Sequence, residues 1–373
     1  MTRARLSAVA LLAALAGCEA APAPDAGALD PTHRLGLNDV TWLFPLERLD
    51  AGTPFPPAAQ LLSSVSVERL TTALPMARTE VSRLRVVGLR FDRCDRSEPG
   101  VPCPATSDGL FRVVLQPVLA GSAATEDLAL HAFYPVPVGD VPAVVTELRE
   151  LASLQGRPRE SRLQVSEAWT GDPRYRAKLG ALLSRYATST RLKRLTLFGR
   201  LSDRGTVEWV FRGEQLAGTT LAPIVISGVD AGAQEVLLTG ADSYRVTPVV
   251  DAPAGFASTL ERTTFDTADG GTQRAGLESL VTVDDPRAHT ADTVQCVSCH
   301  VATTLLAARA GTLGVDPATL PGHFPAPAFD LTALGEPAIR ARTLRALGYL
   351  GDQPLVSQRV VNETANVVLE LDP

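Results

Sequence analysis

The residues best equipped for chemistry are five cysteines and five histidines, thinly spread over 373 positions. Three of them meet in Cys296-Val297-Ser298-Cys299-His300, a C-x-x-C-H sequence. Two thiols three positions apart, on a turn entering a helix, can each form a thioether to one haem vinyl group. The next residue then sets an imidazole beneath the iron, and this is the attachment signature of c-type haem. A redox disulfide between Cys296 and Cys299 is one rival, but such pairs favour a thioredoxin-like βαβ setting that the flanking sequence lacks. A zinc site is the other, and it wants a second Cys/His cluster that the sequence does not contain. The expectation is one covalent haem c, bound by Cys296 and Cys299, with His300 as proximal iron ligand.

A distal ligand is harder to find. The chain has two methionines, Met1 and Met76, and neither follows the motif. His323, twenty-three positions after His300, lies in Pro321-Gly322-His323-Phe324-Pro325-Ala326-Pro327. Proline stiffens such a loop by fixing φ, which suits a segment presenting one ligand across a haem face. His323 is therefore the expected sixth ligand. His289, seven residues before Cys296, is its rival, and an open sixth position is the third possibility. Arg274, Arg287, Arg309 and Arg342 are in the right stretch to meet haem propionates, but nothing in the sequence singles one out.

Other features carry less. Cys94 and Cys103 bracket DRSEPGVP between two strand-like segments and read as a disulfide closing a hairpin loop, worth about 2–3 kcal/mol in the chain-entropy picture. His131, in LALHAFYPV, reads as an ordinary strand side chain, and His33 ends a tether-like segment. Asn362-Glu363-Thr364 matches a glycosylation acceptor but falls in an expected helix. There is no G-x-S-x-G, P-loop or dinucleotide-binding fingerprint.

The elements that must position these groups divide in two. Residues 84–91, 110–118, 128–134, 192–198, 207–211, 223–226, 236–238 and 244–250 read as strands, by alternation or β-branched runs. Helices are expected after Asp140, with Val144, Val145, Leu148 and Leu151 as the apolar stripe, and over 173–186. After about Gly271 the pattern becomes helical: 273–280, then 299–310 stopped by Gly311, then 337–347 stopped by Gly348. A last helix is capped by Ser357, with Val361, Ala365, Val368 and Leu371 as its stripe. This predicts an α+β protein: a β-rich domain over 34–255, a sheet or sandwich with a few helices, followed by a small all-α domain over 272–373.

The amino terminus reads as an address. Arg3 and Arg5 precede an uncharged, mostly apolar run from Leu6 to Gly17, shorter than the roughly twenty residues of a membrane-spanning helix. Leu15-Ala16-Gly17-Cys18 resembles the lipobox of bacterial lipoproteins. The resemblance implies removal of residues 1–17 and acylation of Cys18. Several acyl chains on one residue give stable anchoring. Glu19 stands where a retention signal would have Asp, which by the same resemblance favours the outer membrane. Residues 18–33 then form the lipidated cysteine and a flexible tether.

The C-terminal hundred residues resemble a single-haem c-type cytochrome domain, through C-x-x-C-H, a helix starting within it, an extended loop and a final amphipathic helix. That resemblance implies electron transfer with a redox partner protein of the cell envelope, not bond-breaking catalysis. A haem-based peroxidase or gas sensor with an open iron position, and a haem-free surface lipoprotein that binds an extracellular partner, are the alternatives. With 35 Lys+Arg against 41 Asp+Glu the net charge is −6, and a pI near 5.5 gives no general affinity for nucleic acid. Apolar residues at 45% suffice for a packed core, whereas aromatics at 5% leave little for an aromatic-lined groove.

Overall fold

The computed structural model describes residues 29–49, 55–62, 68, 78–94, 106–201, 208–217, 220–229, 231–290, 293–335, 341–342 and 344–373. The expected signal peptide, Cys18 and Cys103 lie outside them. Cys94 is disulfide-bonded.

The dominant element is one antiparallel sheet of nine strands. They are Thr41–Leu43 (β1), Leu84–Arg93 (β2), Ser107–Pro117 (β3), Leu128–Pro137 (β4), Arg194–Leu201 (β5), Glu208–Ala217 (β6), Thr220–Pro223 (β7), Ala233–Leu238 (β8) and Tyr244–Thr247 (β9). The order is β1-β2-β3-β4-β5-β6-β8-β9, with β7 also pairing with β6. Each step is to an antiparallel neighbour, and strands consecutive in the chain are mostly neighbours in the sheet. Two helices, Val141–Gln155 (α1) and Pro173–Tyr186 (α2), interrupt the sequence between β4 and β5. Asp172 caps α2 by accepting from Arg174 N–H, with Pro173 in the first turn.

Alternation along each strand gives the sheet two unlike faces. Phe91, Phe111, Ala132 and Leu195 belong to one, where the Phe111 ring stacks on Tyr186 of α2 at 5.8 Å. On the same side Trp42 Nε1–H donates to the Tyr175 hydroxyl at 2.6 Å. The other face carries a polar row, Arg90↔Arg112↔Phe133↔Arg194, directly paired across β2, β3, β4 and β5.

That polar face is covered by the C-terminal segment: Gly270–Asp284 (α3), Cys296–Leu313 (α4), the hairpin Leu347–Leu350 (β10) with Gln353–Val356 (β11), and Gln358–Leu371 (α5). Gln116 of β3 holds the hairpin, donating to Tyr349 O at 2.9 Å and accepting from Tyr349 N–H at 2.7 Å. Gly348 makes this approach possible: its φ is +138°, and a Cβ there would lie 2.3 Å from Gln116 Oε1.

This arrangement overturns the expected fold class. Among the described residues no small all-α cytochrome domain stands apart from the sheet. Leu347 and Gly348, expected as the last residue and the stop of a helix, open the strand Leu347–Leu350. The final helix does begin at the Ser357 cap, but it lies on the sheet, with Thr364 Oγ1 2.8 Å from Thr41 Oγ1. A continuous cluster of buried apolar side chains runs from Leu35 to Val368. The physical reason is where its apolar faces are buried: Val297, Val301, Leu347 and Val361 belong to the same cluster as the sheet's own side chains, so the segment shares one core with the sheet. Smaller corrections are local. Helix α4 runs past Gly311 to Leu313 and ends at Gly314 in the left-handed conformation (φ +65°). The three-residue edge strand β1 is too short to show a period.

Candidate haem site

Between the polar sheet face and the C-terminal helices lies a cavity of about 1030 Å³. That is at the top of the range of about 300–1,000 Å³ for ligand and cofactor sites. Cys296, Cys299 and His300 all line it. The motif occupies the first turns of α4, so the thiols stand one helical turn apart, with the imidazole on the next residue. Neither cysteine is in a disulfide, and burial pushes the Cys299 thiol up to about 11.

The start of α4 is pinned to the sheet by two buried glutamines. Gln234 of β8 accepts from Val297 N–H at 3.1 Å and donates to Gln295 Oε1 at 2.6 Å and Pro248 O at 3.0 Å. Gln295 donates in turn to Val250 O at 2.6 Å. An otherwise unpaired helix-start amide is thereby satisfied from a rigid strand.

His300 is oriented from two sides. Its ring stacks on Phe198 (5.4 Å between centroids) and meets the Phe211 ring at a tilt, 4.7 Å away. Its Nδ1 is 2.6 Å from Leu344 O. A carbonyl can only accept, so Nδ1 carries the proton and Nε2 keeps its lone pair, the tautomer of a metal-ligating histidine with a backbone outer-shell partner. Burial outweighs that hydrogen bond and holds the His300 pKa down at about 4, so the ring is neutral at pH 7. Leu344 has a φ of +46°, an outlier for a leucine. The next residue is tied down: Arg345 donates to Asp127 Oδ1 at 2.9 Å and lies over the Phe198 ring, and Trp209 Nε1–H donates to Asp127 Oδ2 at 2.9 Å. The strained carbonyl that addresses His300 is thus held by a buried ion pair.

The cavity lining is rich in cations. Arg90, Arg112 and Arg194 come from the sheet and Arg287 and Arg359 from the C-terminal segment, with Asp92 and Glu363 among them. Arg90 pairs with both Asp92 and Glu363; Arg112 Nε is 3.2 Å from Asp92, and Arg359 Nε donates to Glu363 at 2.7 Å. Burial works against the Glu363 carboxylate, but Arg90 and Arg359 more than offset it and hold its pKa well below the usual range. Phe133, Ile224, Ile226, Val294, Leu347 and Val360 supply apolar lining. A cavity whose lining mixes apolar side chains with arginines suits a flat macrocycle carrying two carboxylates, and the thiol pair and the free Nε2 suit its attachment. The residues present therefore fit a c-type haem. Among the described residues no three His, Cys, Asp or Glu side chains converge closely enough to hold a metal ion by themselves.

The other sequence-nominated residues scatter. His323 is exposed on its turn and is not among the cavity-lining residues, whereas His289 lines the cavity. Of the four arginines considered for propionates, only Arg287 lines it. Arg309 is fully buried elsewhere, donating to Thr259 O and Asp242 O. Sequence reasoning missed His131, which lines the same cavity, and the row Arg90, Arg112, Arg194. The available signal was charge inside strand-like segments, where an apolar residue would be expected on a covered face.

Comparison of the chain with family models, curated proteins and solved structures gives no match.

Proposed function

We propose that this chain is a single-haem c-type cytochrome, anchored at the cell envelope through Cys18, that passes electrons to and from a redox partner protein. The observation that carries the reading is the C-x-x-C-H motif on a cavity wall, with His300 Nδ1–H donated to Leu344 O at 2.6 Å and Nε2 left free. Cys296 and Cys299 would hold the haem by thioethers, and His300 would ligate its iron. The bound haem would supply one-electron exchange, chemistry that no side chain here offers alone. The chain's own residues bind and orient. Gln234 and Gln295 fix the start of α4, Leu344 O sets the plane of the imidazole, and Phe198 and Phe211 exclude water beside it. Arginines of the lining would offer charged donors to the propionates. No described helix is long and apolar enough to cross a membrane, so anchoring rests on the lipobox reading of residues 15–18.

The test is expression of the full chain in cells with haem-attachment machinery, followed by a pyridine haemochrome spectrum of the denatured protein. One c-type haem per chain is expected, lost in the double variant Cys296→Ala/Cys299→Ala. No covalent haem, where a control cytochrome in the same cells is loaded, overturns the reading. Detergent phase partition checks the anchor: the wild type is expected in the detergent phase and Cys18→Ser in the aqueous phase.

A further inference from the structure

Five histidines are present, and apart from His300 only two line the cavity, His131 and His289. They differ in kind. His289 sits on the loop between α3 and α4, where its backbone carbonyl accepts from Arg359 and its Nδ1 lies 3.5 Å from the exposed Thr293 hydroxyl. His131 sits on β4 near the middle of the sheet, paired on both sides, with Val114 of β3 and Thr196 of β5. Neither of its ring nitrogens makes a hydrogen bond to any described residue, and the half-buried ring lines the cavity. An imidazole that lines a cavity from a rigid strand, with both nitrogens unpaired among the described residues, can offer one of them to a ligand there.

Strand register places it relative to His300. Thr196, its partner on β5, is two residues from Phe198, so Phe198 lies diagonally across from His131 on the same face. Such diagonal neighbours are about 7–8 Å apart, within reach of long side chains. Phe198 in turn stacks on His300 at 5.4 Å. One imidazole therefore enters the cavity from the helical wall and the other from the sheet wall. Each is borne on a regular element, the placement that holds ligands most accurately.

We propose that His131 is the second axial ligand of the haem held by Cys296, Cys299 and His300, closing the iron between α4 and β4. This rests on the functional reading above. It makes the site bis-imidazole, with a lower potential than a His/Met site, and leaves no open position for peroxide or a gas.

The experiment uses the full haem-loaded chain and four forms: wild type, His131→Ala, His289→Ala and His323→Ala. Optical and electron paramagnetic resonance spectra of the ferric protein report spin state, and carbon monoxide titration of the ferrous protein reports an open position. Wild type, His289→Ala and His323→Ala are expected to be low-spin and resistant to carbon monoxide. His131→Ala is expected to be high-spin and to bind it, with the haemochrome of the denatured protein unchanged. Added imidazole should restore the low-spin spectrum of His131→Ala, and His131→Met should raise the potential; a variant that merely misfolds would do neither. Covalent haem with His131→Ala still low-spin, or a wild type that already binds carbon monoxide, overturns this assignment alone. Absence of covalent haem overturns the functional reading with it.

Discussion

Replacing Glu363 by glutamine removes one negative charge from the cavity lining while keeping the side chain's shape. Glu363 is about one-tenth exposed and stands between Arg90 and Arg359. With Arg112 and Asp92, the cluster holds three cations against two anions. Two opposite charges about 4 Å apart attract by about 4 kcal/mol at an effective dielectric constant of 20, and Glu363 makes two such pairs. Part of this is returned, because glutamine needs less desolvation than a carboxylate. Breaking a buried pair from one side costs about 3–5 kcal/mol in practice. At about 2.1 cal/mol/K per residue of unfolding entropy, a 373-residue chain should lose about 4–6 °C in Tm.

The pH dependence gives the sharper check. The folded pKa of Glu363 is depressed, so its contribution is fully present above the unfolded value of about 4.3 and fades as pH falls towards the folded value. Glu363→Gln has no such contribution to lose. Calorimetry at matched haem content should find the gap between the two proteins widest at pH 7 and narrower at pH 3. A gap under about 1 kcal/mol at pH 7, or one that does not shrink in acid, refutes the reasoning.

Two further perturbations test other parts of the structure. Asp39 accepts from Gly36 N–H at 2.7 Å and from Gln155 Nε2 at 2.9 Å, and burial raises its pKa to about 7. The folded state therefore keeps a proton that the unfolded state has released, and wild-type stability falls between about pH 4 and pH 7. Asp39→Asn should be near neutral at pH 4 and more stable than wild type at pH 8, by up to about 4 kcal/mol from the shift. Denaturant midpoints at the two pH values decide this, and equal midpoints at pH 8 sink it. Gln234→Leu should destabilise by roughly 2–4 kcal/mol, because it strands Val297 N–H, Gln295 Oε1 and Pro248 O. Amide exchange at Val297 should speed up more than at the centre of α4; unchanged protection there would mean that Gln234 does not anchor the helix.

The motif was legible in the sequence because its chemistry is covalent and local: three residues in five positions suffice to propose thioethers and an axial imidazole. Strands β2, β3, β4 and β5 were legible because alternation is also a local property. Helix α5 was legible because Ser357, read as its cap, accepts from Val360 N–H in its own first turn. Where the C-terminal segment goes was not legible. Its helices look like a free-standing small domain until the polar face of the sheet is known to need a cover. The contacts that decide it join residues far apart in the chain, such as Gln116 with Tyr349, 233 positions away.

The cavity has the same origin. Arg90, Arg112, Phe133 and Arg194 become one wall through cross-strand register, which no single strand encodes. His131 reads as an unremarkable strand residue because only register and the packing of α4 against β8 bring it to the wall that faces His300. His323, favoured by its stiff Pro-rich surroundings, stays at the surface. Residue type and spacing along the chain settle which chemistry is available, since the thiols and the imidazole of the motif are neighbours before any folding. Which charges and which second histidine surround them is settled in three dimensions, by long-range pairings whose entropy cost the assembled core alone can offset.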